Sequence, residues 1–388
     1  MAERVRPGLD VLLADGAALL RGRRVGLVTN PTGVTSDVTP NVAALLAAGV
    51  NIVALFGPEH GFDSSVQDAL AVAEGRDTTT GLTIFSLYGA TEKPTPAMLA
   101  GLDVLLFDVQ DAGVRFYTYP WTLALCMAAA AEVGLPLVVL DRPAPIRGDV
   151  CEGPLLRPGF ESFVGLYPVP LRYGLTVGEL AGLLNVEFGI GADLSVVKLA
   201  GWQRGMWYAD TGLPWVQPSP NLPTLDTTVV YPGTCLVEGT TLSEGRGTTK
   251  PFEVFGAPWL DGARLAAILN ARELPGVRFR AAAFTPTFDK FSGELCRGVQ
   301  VHVMHRRRFR PIETGLHLLA AARAIAPHDF VWRPALGETR LHFDLLIGND
   351  WVRPALDADT PVEEIVALWE PELAHWRDLR ARYFLYGE

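Results

Sequence analysis

The chain of 388 residues is short of cysteine, with four. Cys126, Cys151, Cys235 and Cys296 form no C-x-x-C pair, so neither a disulfide-stapled scaffold nor a cysteine metal site is expected. They read as buried or semi-buried thiols, which suits a reducing compartment. Basic charge is also short: 33 Lys and Arg stand against 43 Asp and Glu, a net charge of −10. A nucleic-acid partner is therefore not expected, because phosphate attracts basic surface. An anionic small substrate remains compatible, since a few arginines can outweigh the mean field locally. Long hydrophobic runs are missing as well. The stretch Leu123 to Leu140 is broken by Glu132, Gly134 and Pro136, so no transmembrane helix is expected. Met1 to Arg24 holds no signal-type apolar core. As written, the chain is expected to be cytoplasmic, or exported if a leader has been removed.

Several chemistries lack their motifs. No G-x-G-x-x-G follows the first strand, so no dinucleotide cofactor is expected. Gly245-Arg-Gly-Thr-Thr-Lys250 lacks phosphate-loop spacing, and Thr241-Leu-Ser-Glu-Gly245 misses the nucleophile elbow at its first position. No H-E-x-x-H occurs. His302 and His305 stand three apart beside a strand, where side chains so spaced face opposite ways. No metal is expected there, and Arg306 to Arg310 reads as a solvated strand end.

What is present is a large apolar fraction, 49%, in an alternating pattern. Buried strands are expected at Arg24–Thr29, Asn51–Phe56, Leu82–Leu87, Asp103–Asp108 and Leu137–Leu140, with a further strand at Leu194–Leu199. Between them fall a helix opened by Thr39 and Pro40, a short one capped by Thr95, one near Trp121–Val133 and one at Thr176–Phe188. Apolar strands alternating with helices predict an α/β fold, a Rossmann-like, doubly wound parallel sheet. From Trp202 to about Pro258 the chain turns rich in Pro, Gly, Thr and Ser and reads as long functional loops. A smaller α/β domain is expected to follow, giving domains 1–235 and 236–388.

Ligands of open parallel sheets bind beyond the carboxyl ends of the strands. Those ends carry Asn30, Glu59, His60, Asp108, Asp111, Arg115, Tyr117, Asp141 and Arg142. Paired carboxylates suit glycoside hydrolysis, where one protonates the leaving oxygen and the other stabilises the sugar cation or activates water. Each residue also has a plain structural reading. Asp141 can cap a turn, Asp108 can be a buried hydrogen-bond partner, and Arg115 and Tyr117 can pack along a strand extension. Glu59 stands apart: it lies between Pro58 and His60 in a glycine-flanked loop where no cap or helix face needs it. A second dense segment, Glu238 to Lys250, holds Glu238, Glu244 and Arg246 among glycines and hydroxyls at the expected domain junction.

Seven motifs occur in an order seen in one family. They are Gly26-Leu-Val-Thr-Asn-Pro-Thr-Gly33, Phe56-Gly-Pro-Glu-His-Gly-Phe62, Pro94-Thr-Pro-Ala-Met98, Phe107 to Tyr119, Leu140-Asp-Arg-Pro143, Pro218-Ser-Pro-Asn-Leu-Pro223 and Glu238 to Phe252. Over almost its whole length the chain resembles the NamZ-type exo-β-N-acetylmuramidases. The resemblance implies a Rossmann-like domain and a smaller one with the site between them. It also implies release of terminal N-acetylmuramic acid from the non-reducing end of peptidoglycan fragments, with a small muropeptide or MurNAc-GlcNAc saccharide as partner. It makes Glu59 the catalytic acid with His60 beside it, and Asp111 or Glu244 the second carboxylate. Arg115, Arg142 and Arg246 become candidates for the lactyl carboxylate, with Asn30, Tyr117, Asp141, Asn221 and Glu238 lining the substrate. A cytoplasmic form would act in cell-wall recycling. One departure stands out: the family usually continues Gly-Phe-Arg-Gly where this chain has Gly61-Phe-Asp-Ser. That leaves a non-catalytic muropeptide-binding protein, or a hydrolase of another sugar, as alternatives.

Overall fold

The computed structural model describes residues 4–63 and 75–387. Of the departure at positions 63 and 64, Asp63 is described and Ser64 lies outside the described residues. The strands in chain order are β1 (Arg24–Thr29), β2 (Asn51–Gly57), β3 (Gly75–Arg76), β4 (Thr83–Ser86), β5 (Val104–Asp108), β6 (Leu137–Leu140), β7 (Glu152–Leu155), β8 (Pro170–Arg172), β9 (Leu194–Val197), β10 (Val254–Ala257), β11 (Val277–Phe284) and β12 (Cys296–Val303). The chain divides into two compact units. The first comprises residues 1–150, 173–223 and 377–388; the second comprises 151–172 and 224–376.

The first unit is built on a seven-stranded sheet in the order β3-β4-β2-β1-β5-β6-β9. All neighbours are parallel except the edge pair β3–β4. Every residue of β5 and β6 is buried, as is all of β1 after Arg24, which requires cover on both faces. Two groups of helices supply it. Gly8–Ala14 packs with Asn41–Ala47, and Tyr119–Val133 packs with both Pro96–Leu99 and Val177–Glu187. The α/β, Rossmann-like arrangement expected from the sequence is thus present. From β1 the chain steps to β2 on one side, and later to β5 on the other. This reversal opens a crevice at the carboxyl ends of β1 and β5, the place where such sheets bind ligands.

Local signals hold with small shifts. Thr95 caps its short helix by accepting from the Met98 amide at 3.3 Å. Thr176 and Glu179 form a full capping box. The helix expected to open with Thr39 and Pro40 starts at Asn41 instead, and Pro40 occupies the cap position. The reason is the Asn41 amide, which donates to the Gly33 carbonyl at 2.7 Å and so ties that residue to the loop after β1.

The second unit holds an antiparallel sheet, β10-β12-β11, covered by the helix Gly262–Ala271. Within the segment read as long loops lies a helix, Leu225–Thr234. Its Thr-rich sequence and internal Pro232 hide it from propensity rules, and tertiary contacts hold it. Thr227 Oγ1 donates to Glu253 at 2.8 Å, and Gly233 meets the helix Pro311–Ile325 so closely that a Cβ would sit 1.7 Å from the Pro311 carbonyl oxygen. All four cysteines are buried and free. No described helix is long and apolar enough to cross a membrane.

Candidate active site

The loops after β1, β2, β5 and β6 place their polar residues along one rim of the first unit. After β2 the chain makes a tight turn in which the Gly61 amide donates to the Pro58 carbonyl at 3.0 Å. His60 occupies its third position with φ +69°, a left-handed conformation usually left to glycine or asparagine in such turns. Strain of this kind persists where surrounding structure enforces it, and it collects at functional sites. Gly57 is required just before, because a Cβ there would lie 2.8 Å from the Phe62 amide nitrogen. The turn carries Glu59, which is 8% exposed and so nearly buried without being sealed. Its Oε2 accepts a 2.7 Å hydrogen bond from Thr118 Oγ1.

Thr118 belongs to the irregular loop that follows β5. Arg115 and Tyr117, for which packing along a strand extension is one reading of the sequence, lie in a series of bends and turns leading to the helix Tyr119–Val133. The loop cannot continue the sheet because it must reverse into that helix. Thr118 stands at the helix N-cap, yet its hydroxyl makes no capping bond; it serves Glu59 instead. Asp111, in the same loop, is buried. Its carboxylate accepts from the Gly113 amide at 3.2 Å and from the Tyr173 hydroxyl. Burial pushes its pKa up to about 7, into the range useful for proton chemistry. Arg115 is fully buried, and burial lowers its pKa to about 9. Tyr117 is buried edge-to-face on Tyr119, ring centroids 4.8 Å apart. Burial, then the neighbouring Tyr119, raises its phenol pKa well above the ordinary value, and its hydroxyl meets Ser219.

Other rim residues are bound into the scaffold. Asn30 Nδ2 donates to the Tyr119 hydroxyl at 2.9 Å, and its Oδ1 accepts from Thr32. Asp108 pairs with Arg142 at 2.7 Å and accepts from Asn41 Nδ2 at 2.7 Å. Burial raises the pKa of Asp108, with Arg142 and Asn41 acting against it. Arg142 also donates to the Val34 carbonyl. Asp141 accepts from the Arg142 and Gly178 amides and from the Thr176 and Tyr386 hydroxyls. Burial moves it to about 6, against those hydrogen bonds from Tyr386, Thr176 and Gly178. Asp141 thus anchors both the helix Val177–Glu187 and the C-terminal tail. Asn221 is buried in the turn at 219–222.

The second unit holds a separate cluster. Arg246 reaches Glu238 at 2.7 Å and Glu244 at 3.2 Å, and stacks 5.0 Å from the Phe252 ring centroid. Lys290 binds the other Glu244 oxygen at 2.8 Å. Burial raises the pKa of Glu238, but Arg246 and His342 outweigh it and hold the group at about 2. Both oxygens of Glu244 face cations inside the protein, a poor arrangement for handing a proton to a substrate. The glycine-rich stretch here is packed structure: a Cβ on Gly247 would come within 2.7 Å of the Phe288 backbone.

The structure therefore brings Glu59, His60, Asp111, Arg115 and Tyr117 onto adjoining loops of one unit, while Glu238, Glu244 and Arg246 form a network in the other. Sequence reasoning missed Thr118, although it lay inside a quoted motif; a hydroxyl at a helix start reads as a cap. It also missed Glu92, an exposed residue whose pKa is raised by desolvation and then by the charge of Glu59, and Lys290, which nothing in its neighbourhood marked. Of the expected seats for the substrate's carboxylate, Arg142 and Arg246 already pair with protein carboxylates.

Residues 25–226 match the N-terminal domain of the exo-β-N-acetylmuramidase NamZ, and residues 229–386 match its C-terminal domain. The chain is 48% identical to the peptidoglycan β-N-acetylmuramidase NamZ of Bacillus subtilis over 384 residues, covering 99% of this chain and 92% of that protein. Two crystal structures of DUF1343 family proteins from Bacteroides fragilis share the fold. One has a TM-score of 0.89 at 38% identity and covers 99% of both chains; the other has 0.79 at 30% and covers 100% of both. Sequence and fold agree, and the chain belongs to the NamZ exo-β-N-acetylmuramidase family.

Proposed function

We propose that this protein is an exo-acting glycoside hydrolase that releases terminal N-acetylmuramic acid from the non-reducing end of peptidoglycan fragments. The observation that carries the reading is Glu59, on a strained turn after β2 and held by Thr118 from the loop after β5, in a NamZ-family sheet. In the proposed reaction Glu59 gives its proton to the glycosidic oxygen as the bond to the anomeric carbon breaks. Asp111, ionised above about pH 7, supports the positive charge that develops on the sugar. Water supplies the hydroxyl of the released sugar and the proton that restores Glu59. Asp111 is preferred to Glu244 because the latter is engaged by Lys290 and Arg246.

The test is hydrolysis of para-nitrophenyl-MurNAc and of a MurNAc-GlcNAc disaccharide. Wild-type protein is expected to release product, and Glu59→Gln to lose about 10²–10⁴-fold in rate. No release by pure protein, or unchanged release by Glu59→Gln, overturns the proposal. Tight calorimetric binding without turnover would instead mark a muropeptide-binding protein.

A further inference from the structure

The second unit carries an arginine-rich surface that the proposed reaction does not use. After β12, residues 304–308 (Met304-His305-Arg306-Arg307-Arg308) form a fully exposed turn, with Met304 60% exposed. The turn is firmly held. The Met304 and His305 amides both donate to the Gly276 carbonyl, at 2.8 and 3.1 Å, and the amide of buried Phe309 closes it by donating to the His305 carbonyl at 3.1 Å. Gly276 is needed for this approach, because a Cβ there would lie 2.5 Å from the His305 carbonyl oxygen. Beside the turn, Arg278 and Arg280 project from the exposed face of β11, two residues apart. Turn and strand enclose a depression of about 370 Å³ lined by Leu274, Gly276, Arg278, Met304, His305 and Arg308, with Glu273 as its one carboxylate.

Some arginines of this unit meet carboxylates, as in Arg246–Glu238, Arg323–Asp359 and Arg353–Asp344. Among the described residues Arg278, Arg307 and Arg308 make no such pair. Like charges gathered on one rigid surface repel, and an arriving anion relieves them. A guanidinium binds carboxylates with two parallel hydrogen bonds. In a chain of net charge −10 the surface is a local exception to the mean field. The depression falls within the range of small-ligand clefts, roughly 300–1,000 Å³, so it can seat one sugar or peptide unit beside the charge.

We propose that the turn 304–308, with Arg278, is a second, non-catalytic binding surface for carboxylate-bearing peptidoglycan chains. The inference rests on the proposed function for its ligand class. An enzyme that removes one terminal residue per visit gains from a further contact that keeps it on the polymer, because the next encounter starts at raised local concentration.

The test is co-sedimentation with insoluble peptidoglycan stripped of phosphate polymers, at about 0.05 and 0.5 M salt, since such contacts are screened. Wild-type protein is expected to sediment at low salt and to be released at high salt. Arg307→Glu/Arg308→Glu is expected to bind about tenfold more weakly at low salt, with its melting temperature and its kcat/KM on the disaccharide unchanged. Equal sedimentation of variant and wild type overturns the proposal. So does failure of the wild type to sediment, or retention on polyphosphate but not on peptidoglycan. Sedimentation is read without turnover, so a protein that binds the polymer but releases no sugar refutes the hydrolase reading and leaves this surface standing.

Discussion

The bond from Thr118 to Glu59 gives a sharp prediction. Thr118→Val keeps the shape of the side chain and removes only the hydroxyl that donates to Glu59 Oε2 at 2.7 Å. As Glu59 gives up its proton in the proposed reaction it becomes a carboxylate, and a hydrogen bond to a charged group contributes about 1.5–3 kcal/mol. With Glu59 only 8% exposed, water replaces the lost donor incompletely. If the bond fixes the side chain where it meets the glycosidic oxygen, the loss falls on the transition state. At about 1.4 kcal/mol per factor of ten, kcat should drop roughly 10- to 150-fold with KM little changed. Stability should fall too, by up to about 1–3 kcal/mol, because the nearly buried Glu59 loses this donor. Thr118→Ser restores the donor and should restore most of the rate. Steady-state kinetics on the MurNAc-GlcNAc disaccharide, paired with thermal melts, decides it. A valine variant with wild-type kcat refutes the positioning argument, as does a serine variant no better than valine.

Three further outcomes are expected. Asp111, raised from 3.8 to about 7 by burial, binds a proton in the folded state that the unfolded chain gives up. Its stabilising contribution is complete below about 3.8 and is lost as pH rises through about 7, so the melting temperature of Asp111→Asn should gain on wild type between pH 4 and 8 (roughly that window), and a constant difference contradicts the assignment. Gly233→Ala forces a Cβ to 1.7 Å from the Pro311 carbonyl oxygen and should cost about 3 kcal/mol or more, seen in urea unfolding; a loss below about 1 kcal/mol would mean the helices separate freely. Glu179→Gln strips the charge that faces Arg204, both side chains being at most 2% exposed. It should cost about 3–5 kcal/mol in the same assay, and near-neutrality would show that the pair is dispensable.

Much of the first unit could be read from the chain. Its strands are short, apolar and punctuated by glycine, and a strand buried on both faces leaves a continuous apolar run that needs no partner to be recognised. The rim follows from those strand ends, and it already carries Glu59 and Asp111. The helix Leu225–Thr234 was not readable, because threonines and Pro232 argue locally against it and distant residues hold it in place. The polar network also stayed hidden. Asp108 and Arg142 are 34 positions apart, and Asp141 and Tyr386 are 245 apart; no local pattern encodes such partners.

By itself, then, the sequence determined the parallel sheet, the carboxylate-bearing rim and the family, because period, turn chemistry and motif are properties of neighbouring residues. Only tertiary structure decided which charged groups are occupied. Asp141, Arg142 and Glu244 are site candidates alongside Glu59 in the sequence, and they become anchors because donors or opposite charges from remote segments meet them when the chain folds. Thr118 took the opposite course: a hydroxyl placed to cap a helix is turned toward Glu59 by the loop that brings the ends of β2 and β5 together. Burial and partner choice are set by residues far away in the chain, and they separate a carboxylate that holds the scaffold from one poised for chemistry.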